Sequence, residues 1–378
     1  MNNTVIIILA IALALTLVGG VIFTVALAAA DWDFSKLDGG QYSTNTYIFD
    51  DSVSSITISV FTADVNIIPS SDNSTRVVCY EKNKFKHEVA VEDGNLVIDS
   101  NAAPKWYESS FTFSKLKIDI YLPEEGVRSL MIVGDTGDVN VGGKFSFSYV
   151  TIGADTSDIS FTGTVENQLK IEACTGDVKI EDVKSGDVEI KVSTGDIDIE
   201  NLECKSLKTI GTTGDIEIEK LASSGAVDIE RSTGDVVMDI ASVGSLSVKT
   251  GSGSIALHSI TCPDELGVAV NTGDAYISSS TAKSFTSTGN TGDLNMSNFL
   301  VEGTMNIERN TGDVKLNRCE AGEVYVTTDT GDVVGSFISD KIIFASSNTG
   351  KIDVPKSTVG GKCEITTTTG KIIITITE

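Results

Sequence analysis

A short phrase, Thr-Gly-Asp followed by alternating apolar residues, returns about every 19 residues between Thr136 and Lys371. A unit that small cannot bury its apolar face alone, so a repeat at this period specifies a stack of like units, a solenoid. The phase is set by Gly137, Gly176, Gly195, Gly214, Gly234, Gly253, Gly273, Gly292, Gly312, Gly331, Gly350 and Gly370, with Ser157 filling the one gap. These are 13 rungs at a mean step of roughly 19.4 residues.

Two strand signals recur in each rung. The second and fourth residues after the glycine are apolar, as in Val178 and Ile180, Ile197 and Ile199, Ile216 and Ile218, Leu294 and Met296, and Ile372 and Ile374. Another pair lies seven and five residues before the next glycine, as in Leu169 and Ile171, Val188 and Ile190, Val227 and Ile229, Leu246 and Val248, and Met305 and Ile307. Period-two alternation puts each pair on one buried face, so the two pairs read as opposite walls of one coil. Successive coils then pair in parallel about 4.8 Å apart, and about 13 of them make a rod roughly 60 Å long. The fold class expected is all-β, a parallel β-helix of about 13 coils with a β-rich N-terminal cap, preceded by one transmembrane helix.

The corner has a structural explanation that needs no activity. Glycine permits positive φ at a tight bend, and Asp or Thr can bond nearby backbone amides. Charge remains to be explained, because ten rungs carry Asp at the corner: Asp138, Asp158, Asp177, Asp196, Asp215, Asp235, Asp274, Asp293, Asp313 and Asp332. Stacked in register about 5 Å apart, neighbours would repel by about 1 kcal/mol per pair even in water. The Thr column beside them, Thr136 to Thr369 with Ser252 as the exception, offers hydroxyl donors. A bound cation is the sharper alternative, since oxygen-rich sites suit calcium. The densest candidate calcium set is Asp196, Asp198, Glu200, Asp215, Glu217 and Glu219, six carboxylates on two adjacent strands. The calcium-binding nonapeptide pattern, glycine-glycine-x-glycine-x-aspartate, is not this one. A solvated acidic face is the plainer reading.

With 53 acidic residues against 28 Lys and Arg, the net charge of −25 argues against binding a nucleic-acid backbone and for colloidal solubility. Val5 to Ala30 is an uncharged apolar run, long enough to cross a bilayer with some tilt. Its Ala28-Ala29-Ala30 ending resembles a cleavage site, yet the run exceeds a usual signal h-region and lacks a basic n-region, so an uncleaved anchor is expected over cleavage. Few basic residues flank it: Lys36 alone follows closely, among Asp31, Asp33 and Asp38. The arrangement expected is a short cytoplasmic start with the whole rod exported and Trp32 at the outer interface. The chain thus divides into a tail (1–4), an anchor or signal segment (5–30), a linker (31–46), an N-terminal β cap region (47–133) and the repeat solenoid (134–378).

Residues 38–130 lack the period but remain strand-like, as in Ile56-Thr57-Ile58-Ser59-Val60 and Lys117-Ile118-Asp119-Ile120-Tyr121. A solenoid needs its exposed coil end covered, and this segment is placed to cover it. Its aromatic cluster, Trp106, Tyr107, Phe111 and Phe113, reads as packing or a loop clasp, with a glycan-stacking platform as the other option. Cys319 and Cys363 fall on buried rung positions and read as small apolar core residues. Cys204 and Cys262 share a phase three rungs apart, about 14 Å, too far for a disulfide. His87 and His258 have no catalytic company in the sequence and read as surface or loop residues.

The order of segments resembles a known family. Tyr47-Ile48-Phe49, then Thr62-Ala63-Asp64-Val65-Asn66-Ile67, then Asp93-Gly94-Asn95-Leu96-Val97-Ile98, then Ile120-Tyr121-Leu122-Pro123, then repeated Thr-Gly-Asp-Val, is similar to the bacterial putative-adhesin domains of unknown function, including LiaG-like membrane proteins. Asp33-Phe34-Ser35-Lys36-Leu37 resembles Firmicutes members as well. The resemblance covers nearly the whole chain and implies a β-solenoid on a membrane anchor. It transfers no catalytic residues.

Three functions are weighed. Some β-helices cleave acidic polysaccharides with carboxylate-bound calcium and a basic proton acceptor, but no basic partner is evident beside this acidic wall, nor any Gly-x-Ser-x-Gly nucleophile with partners. A tethered rod binding cell-wall or host glycan, or another envelope protein, fits shape and export better, with calcium as a bridge. An envelope-stress sensor or structural membrane component is the alternative. Finally, the corner Asp becomes Lys351 and then Lys371, and the sequence runs out within Ile372-Ile373-Ile374-Thr375-Ile376. Lysine at an open coil edge guards against edge-to-edge pairing, so a monomeric rod is expected.

Overall fold

A computed structural model describes residues 3–29, 32, 42–50, 52–83, 86–100 and 116–377. The aromatic cluster Trp106, Tyr107, Phe111 and Phe113 lies outside the described residues, as do Lys36 and the Asp33–Leu37 stretch. The first element is a helix, α1 (Asn3–Ala29), uncharged throughout. At 1.5 Å per residue it is about 40 Å long, enough for a hydrocarbon core of about 30 Å. From Ala12 onward its side chains face outward, apart from the buried Leu27. By length and composition it could serve as a membrane span or a signal sequence.

Among the other described residues the chain forms a β-solenoid of about 12 turns, the turns that the 13 corners delimit. The coil opening at Gly176 shows how the sequence builds it. Val178 and Ile180 lie in register with Ile159 and Phe161 on one side and Ile197 and Ile199 on the other. Val188, Ile190 and Val192 form the longer wall, in register with Leu169, Ile171 and Ala173. Between these two expected walls runs a short third face, on which Val183 stacks between Gly163 and Leu202. The core is therefore a set of aliphatic rows running through the stack, and it includes Cys319 and Cys363, both fully buried. All six cysteines are unpaired.

In the eight coils that open at Gly176 to Gly312, two corners need left-handed backbone, and only the first carries a glycine. The other falls six residues later, at Asp182, Asn201, Lys220, Ile240, Ser259, Ser279, Asn298 and Arg318, with φ between 48° and 58°. Here the chain turns from the first wall onto the third face. A non-glycine residue tolerates this region at a cost, least for Asn and Asp and most for a β-branched side chain such as Ile240.

Neither end of the stack follows chain order. At the start, β1 (Tyr42–Phe49), β2 (Ser55–Val60), β3 (Ala63–Pro69), β4 (Thr75–Lys82), β5 (His87–Glu92), β6 (Asn95–Ser100), β7 (Leu116–Leu122), β8 (Ser129–Thr136) and β9 (Val139–Val141) follow one another. The pair β2–β3 is a coil: β2 pairs in parallel with β8, and β3 with β9. Outside it lies β6–β7, again parallel, so β2–β3 sits between segments that follow it in sequence. The outer cover is antiparallel, β5 on β6 along one wall and β4 on β7 along the other, with β1 beyond β4.

The far end repeats the device. Strands Gly361–Thr369 and Ile372–Ile376 slot between the preceding coil and the segment Lys341–Asp353. This corrects the expected open edge at Ile372–Ile376: that strand is paired on both sides, to Val333–Phe337 and to Ile352–Asp353. Lys371 is accordingly inside the stack, its ammonium 3.0 Å from Asp332, and only Lys351, paired with Asp353 at 2.8 Å, belongs to the outermost coil. Phe344, Ile352 and Val359 are the exposed apolar residues there.

Candidate functional site

The corner column explains itself once backbone positions are known. At Gly214, φ is +124° and an added Cβ would stand 2.1 Å from the Gly195 carbonyl oxygen. Both the conformation and the approach of successive coils exclude a side chain. With the backbones this close, the amide following each glycine points at the carboxylate one coil below. The Asp196 N–H donates to Asp177 Oδ1, Asp215 N–H to Asp196 Oδ1, and Asp235 N–H to Asp215 Oδ1, all at 2.8 Å. The chain of bonds begins with Asp138 N–H on Asp64 and is met again at Lys371 N–H on Asp332. Thus the carboxylates are satisfied by backbone amides, and the hydroxyl donors expected from the Thr column are not what meets them. Each amide-carboxylate bond is charge-assisted and stronger than a neutral one, which offsets the repulsion along the column.

Of the six candidate calcium ligands, Asp196 and Asp215 belong to this column and have one oxygen committed to it. Asp198 and Glu217 lie opposite each other on the outward face of the first wall, and so do Glu200 and Glu219. The second of these rows extends to Glu181 on one side and Asp239 on the other. Lysines interrupt the charge: Lys220 Nζ is 2.9 Å from Glu219 Oε1, and Lys179 Nζ is 3.4 Å from Glu181 Oε2. The register brings the six together as three rows on adjacent strands. An open groove along the earlier corners, lined by Asp138, Asp158 and Asp177 with Lys179 at its side, reaches Asp196 and Asp198 of the six.

Further along the column, the amide bond is joined by a cation. Asp293 is held below the usual carboxylate range by the Lys315 ammonium at 2.8 Å and by the Asp313 amide. Asp332 is held down by the amide and then the ammonium of Lys371.

Behind the corner lie two arginines that the sequence reading missed. Arg231 and Arg309 are each 2% exposed and occupy the inward position three residues before a corner glycine. Arg231 Nη1 donates to the Val192 carbonyl at 3.1 Å and Nη2 to that of Gly195 at 3.4 Å. Its guanidinium fills space that a side chain at Gly211 would need: a Cβ there would stand 1.6 Å from Nη1. Arg309 uses Gly289 in the same way, at 1.7 Å, and donates to Ser287 Oγ. Burial lowers the hold of both guanidinia on their protons, opposed by Asp196 and Asp215 for Arg231 and by Asp274 and Asp293 for Arg309. The acidic corner is therefore also the counter-charge of buried cations. The clue lay in the repeat: each Arg has a Gly one rung earlier.

The histidines part company. His258 is exposed, its Nδ1 2.8 Å from Ser278 Oγ. His87, expected at the surface, is 7% exposed and opens β5 against Glu81, which is wholly buried on β4. Its backbone N–H donates to Glu81 Oε2 at 2.7 Å, and its Nδ1 lies 2.8 Å from the same oxygen. Only four residues separate the end of β4 from His87. Among the described residues, Cys79, Glu81 and His87 form the group of metal-ligating side chains whose donor atoms all lie within 4.8 Å of one another.

Comparison with known proteins gives one family. Residues 53–259 and 240–378 each match the family model Toastrack DUF4097. Among solved structures, a putative adhesin from Parabacteroides merdae ATCC 43184 is 12% identical, with 75% of this chain and 97% of that chain covered at a TM-score of 0.36. A putative adhesin from Bacteroides fragilis NCTC 9343 is also 12% identical, with 89% and 97% covered at a TM-score of 0.29. A putative cell adhesion protein from Clostridium sporogenes ATCC 15579 is 11% identical, with 88% and 99% covered at 0.17. None of the curated proteins compared matches the chain.

Proposed function

The chain belongs to the Toastrack DUF4097 family, and on that premise we propose that it is a non-catalytic binding rod, anchored in the cell membrane by α1 and displayed outside the cell. Its ligand class is cell-wall or host glycan, or another envelope protein. One observation carries the reading: the outward rows Glu181-Glu200-Glu219-Asp239 and Asp198-Glu217 repeat carboxylates at the coil spacing on a flat parallel sheet. That spacing is about 4.8 Å. A rigid array of this kind suits a partner that itself repeats, such as a glycan chain, with divalent cations bridging carboxylate to hydroxyl. The adhesins named among the solved structures lend the reading its direction.

The test is retention of the purified full chain, in detergent, on cell wall and on a glycan panel, with calcium or with chelator. Saturable retention that calcium strengthens and Glu200→Gln with Glu219→Gln weakens supports the rod as a binding module. No retention in either buffer overturns it and favours an envelope-stress or structural role through a membrane-protein partner.

A further inference from the structure

The Cys79, Glu81 and His87 cluster has no part in the acidic rows. It sits under the antiparallel cover of the first coils, where β4 closes one wall and β5 the other. Cys79 and Glu81 are two residues apart on β4 and so share its inward face; both are fully buried. His87, at the start of β5, lies against both of them.

As a simple clasp, the pair of Glu81 and His87 would be complete. Glu81 Oε2 accepts from the His87 backbone N–H and meets Nδ1, while Oε1 accepts from Asn45 Nδ2. The Cys79 thiol adds nothing to that clasp. It makes no hydrogen bond with any described residue, yet its sulfur lies within 4.8 Å of the ligand atoms of both others. A metal ion would set its charge against the buried Glu81 carboxylate in place of the proton that carboxylate shares with His87.

We propose that Cys79, Glu81 and His87 bind a zinc ion that staples the N-terminal cover of the solenoid. One thiolate, one imidazole and one carboxylate are donors that zinc accepts, and a sulfur among them favours it over calcium or magnesium. Zinc holds such ligands at about 2.0 to 2.3 Å, so donor atoms come to rest less than about 4 Å apart. The observed separations need side-chain adjustments on the order of 1 Å. Binding replaces the proton between His87 Nδ1 and Glu81 Oε2, which moves to Nε2, and releases the Cys79 proton to solvent. The fourth position of the tetrahedron is left to water. Because β4 and β5 cover different walls, the ion would join two strands that share few contacts of their own, as structural metals do in small units short of core.

The test uses the full chain in detergent, first with cobalt(II) as a spectroscopic stand-in and then with zinc. We expect a thiolate-to-cobalt charge-transfer band in the near ultraviolet, together with intense visible bands of tetrahedral cobalt, both lost on adding zinc. In competition with a chromophoric chelator, Cys79→Ser and His87→Gln should each weaken zinc by on the order of 100-fold or more. Glu200→Gln on the acidic face should leave it unchanged. Absence of the thiolate band from the unmodified chain overturns the proposal, and that measurement holds even where a variant misfolds. Zinc affinity untouched by Cys79→Ser in a folded protein overturns it equally.

Discussion

Replacing Gly214 with Ala should break the stack in its middle. The backbone there has φ of +124°, a conformation that costs a residue with a Cβ about 1–3 kcal/mol. The new methyl would also stand 2.1 Å from the Gly195 carbonyl oxygen, so the coils must separate locally by roughly 1 Å. That movement loosens the Asp215 N–H to Asp196 bond and the Gly214 N–H to Thr233 carbonyl bond, at 2.8 and 3.1 Å. Each is worth about 1 kcal/mol net. The sum is about 3–5 kcal/mol, expected as a fall in the urea midpoint followed by far-ultraviolet circular dichroism. Because a solenoid's stability is a sum of coil and neighbour terms, a weakened interface at mid-stack should also broaden or split the transition. Ser157→Ala is the control. That corner already carries a side chain, and its buried hydroxyl has no partner, so its loss should be neutral or stabilising. A loss below about 1 kcal/mol for Gly214→Ala, with the transition unchanged, would refute the argument that coil contact imposes the glycine.

Away from the buried arginines the corner carboxylate should matter as an acceptor more than as a charge: Asp177→Ala should cost about 1–2 kcal/mol, while Asp177→Asn, which weakens the bond to the Asp196 amide but relieves repulsion along the column, should stay within about 0.5 kcal/mol, by thermal melts of the two variants. Asp293 and Asp332 have lowered folded pKa values, so the stability they give is present above their unfolded values and is lost as pH falls through the folded ones. Urea midpoints should therefore drop below about pH 4, and less steeply in the chain carrying Asp293→Asn with Asp332→Asn. Gly211→Ala should destabilise by several kcal/mol through the Arg231 guanidinium, and Arg231→Met should recover part of that, a coupling above about 1 kcal/mol in a double-mutant cycle. Ile240→Asn should stabilise by about 1 kcal/mol in the same assay, since a half-exposed β-branched residue there holds φ of 55°.

What could be read from the sequence was whatever repeats locally. The corner glycines and the pairs such as Val178 with Ile180 fix phase and burial through side-chain period alone. The second corner escaped because Asp182, Lys220, Ile240 and Arg318 share no chemistry, only a backbone shape. The coil β2–β3 left a faint trace, Thr62-Ala63-Asp64, in which Ala63 stands where later rungs have glycine and Asp64 accepts the Asp138 amide. Its place between later segments is a matter of long-range pairing, which no local pattern encodes. The carboxylate rows were visible as spacing, but the amides that engage Asp196 and Asp215 were not. His87 was misread for the same reason, since the burial of Glu81 beside it depends on β4 covering the outermost coil.

The interleaved far end bears on how the rod would carry load. In a spool wound in simple order, tension on the last turn lifts it away one bond at a time. Here a pull applied beyond Ile376 acts on a strand gripped from two sides, by Val333–Phe337 and Ile352–Asp353. Its release needs both ladders to yield together, as a drawer wedged between two others resists where the topmost would slide. Single-molecule extension from that side should begin with a tall rupture and not with gradual unwinding.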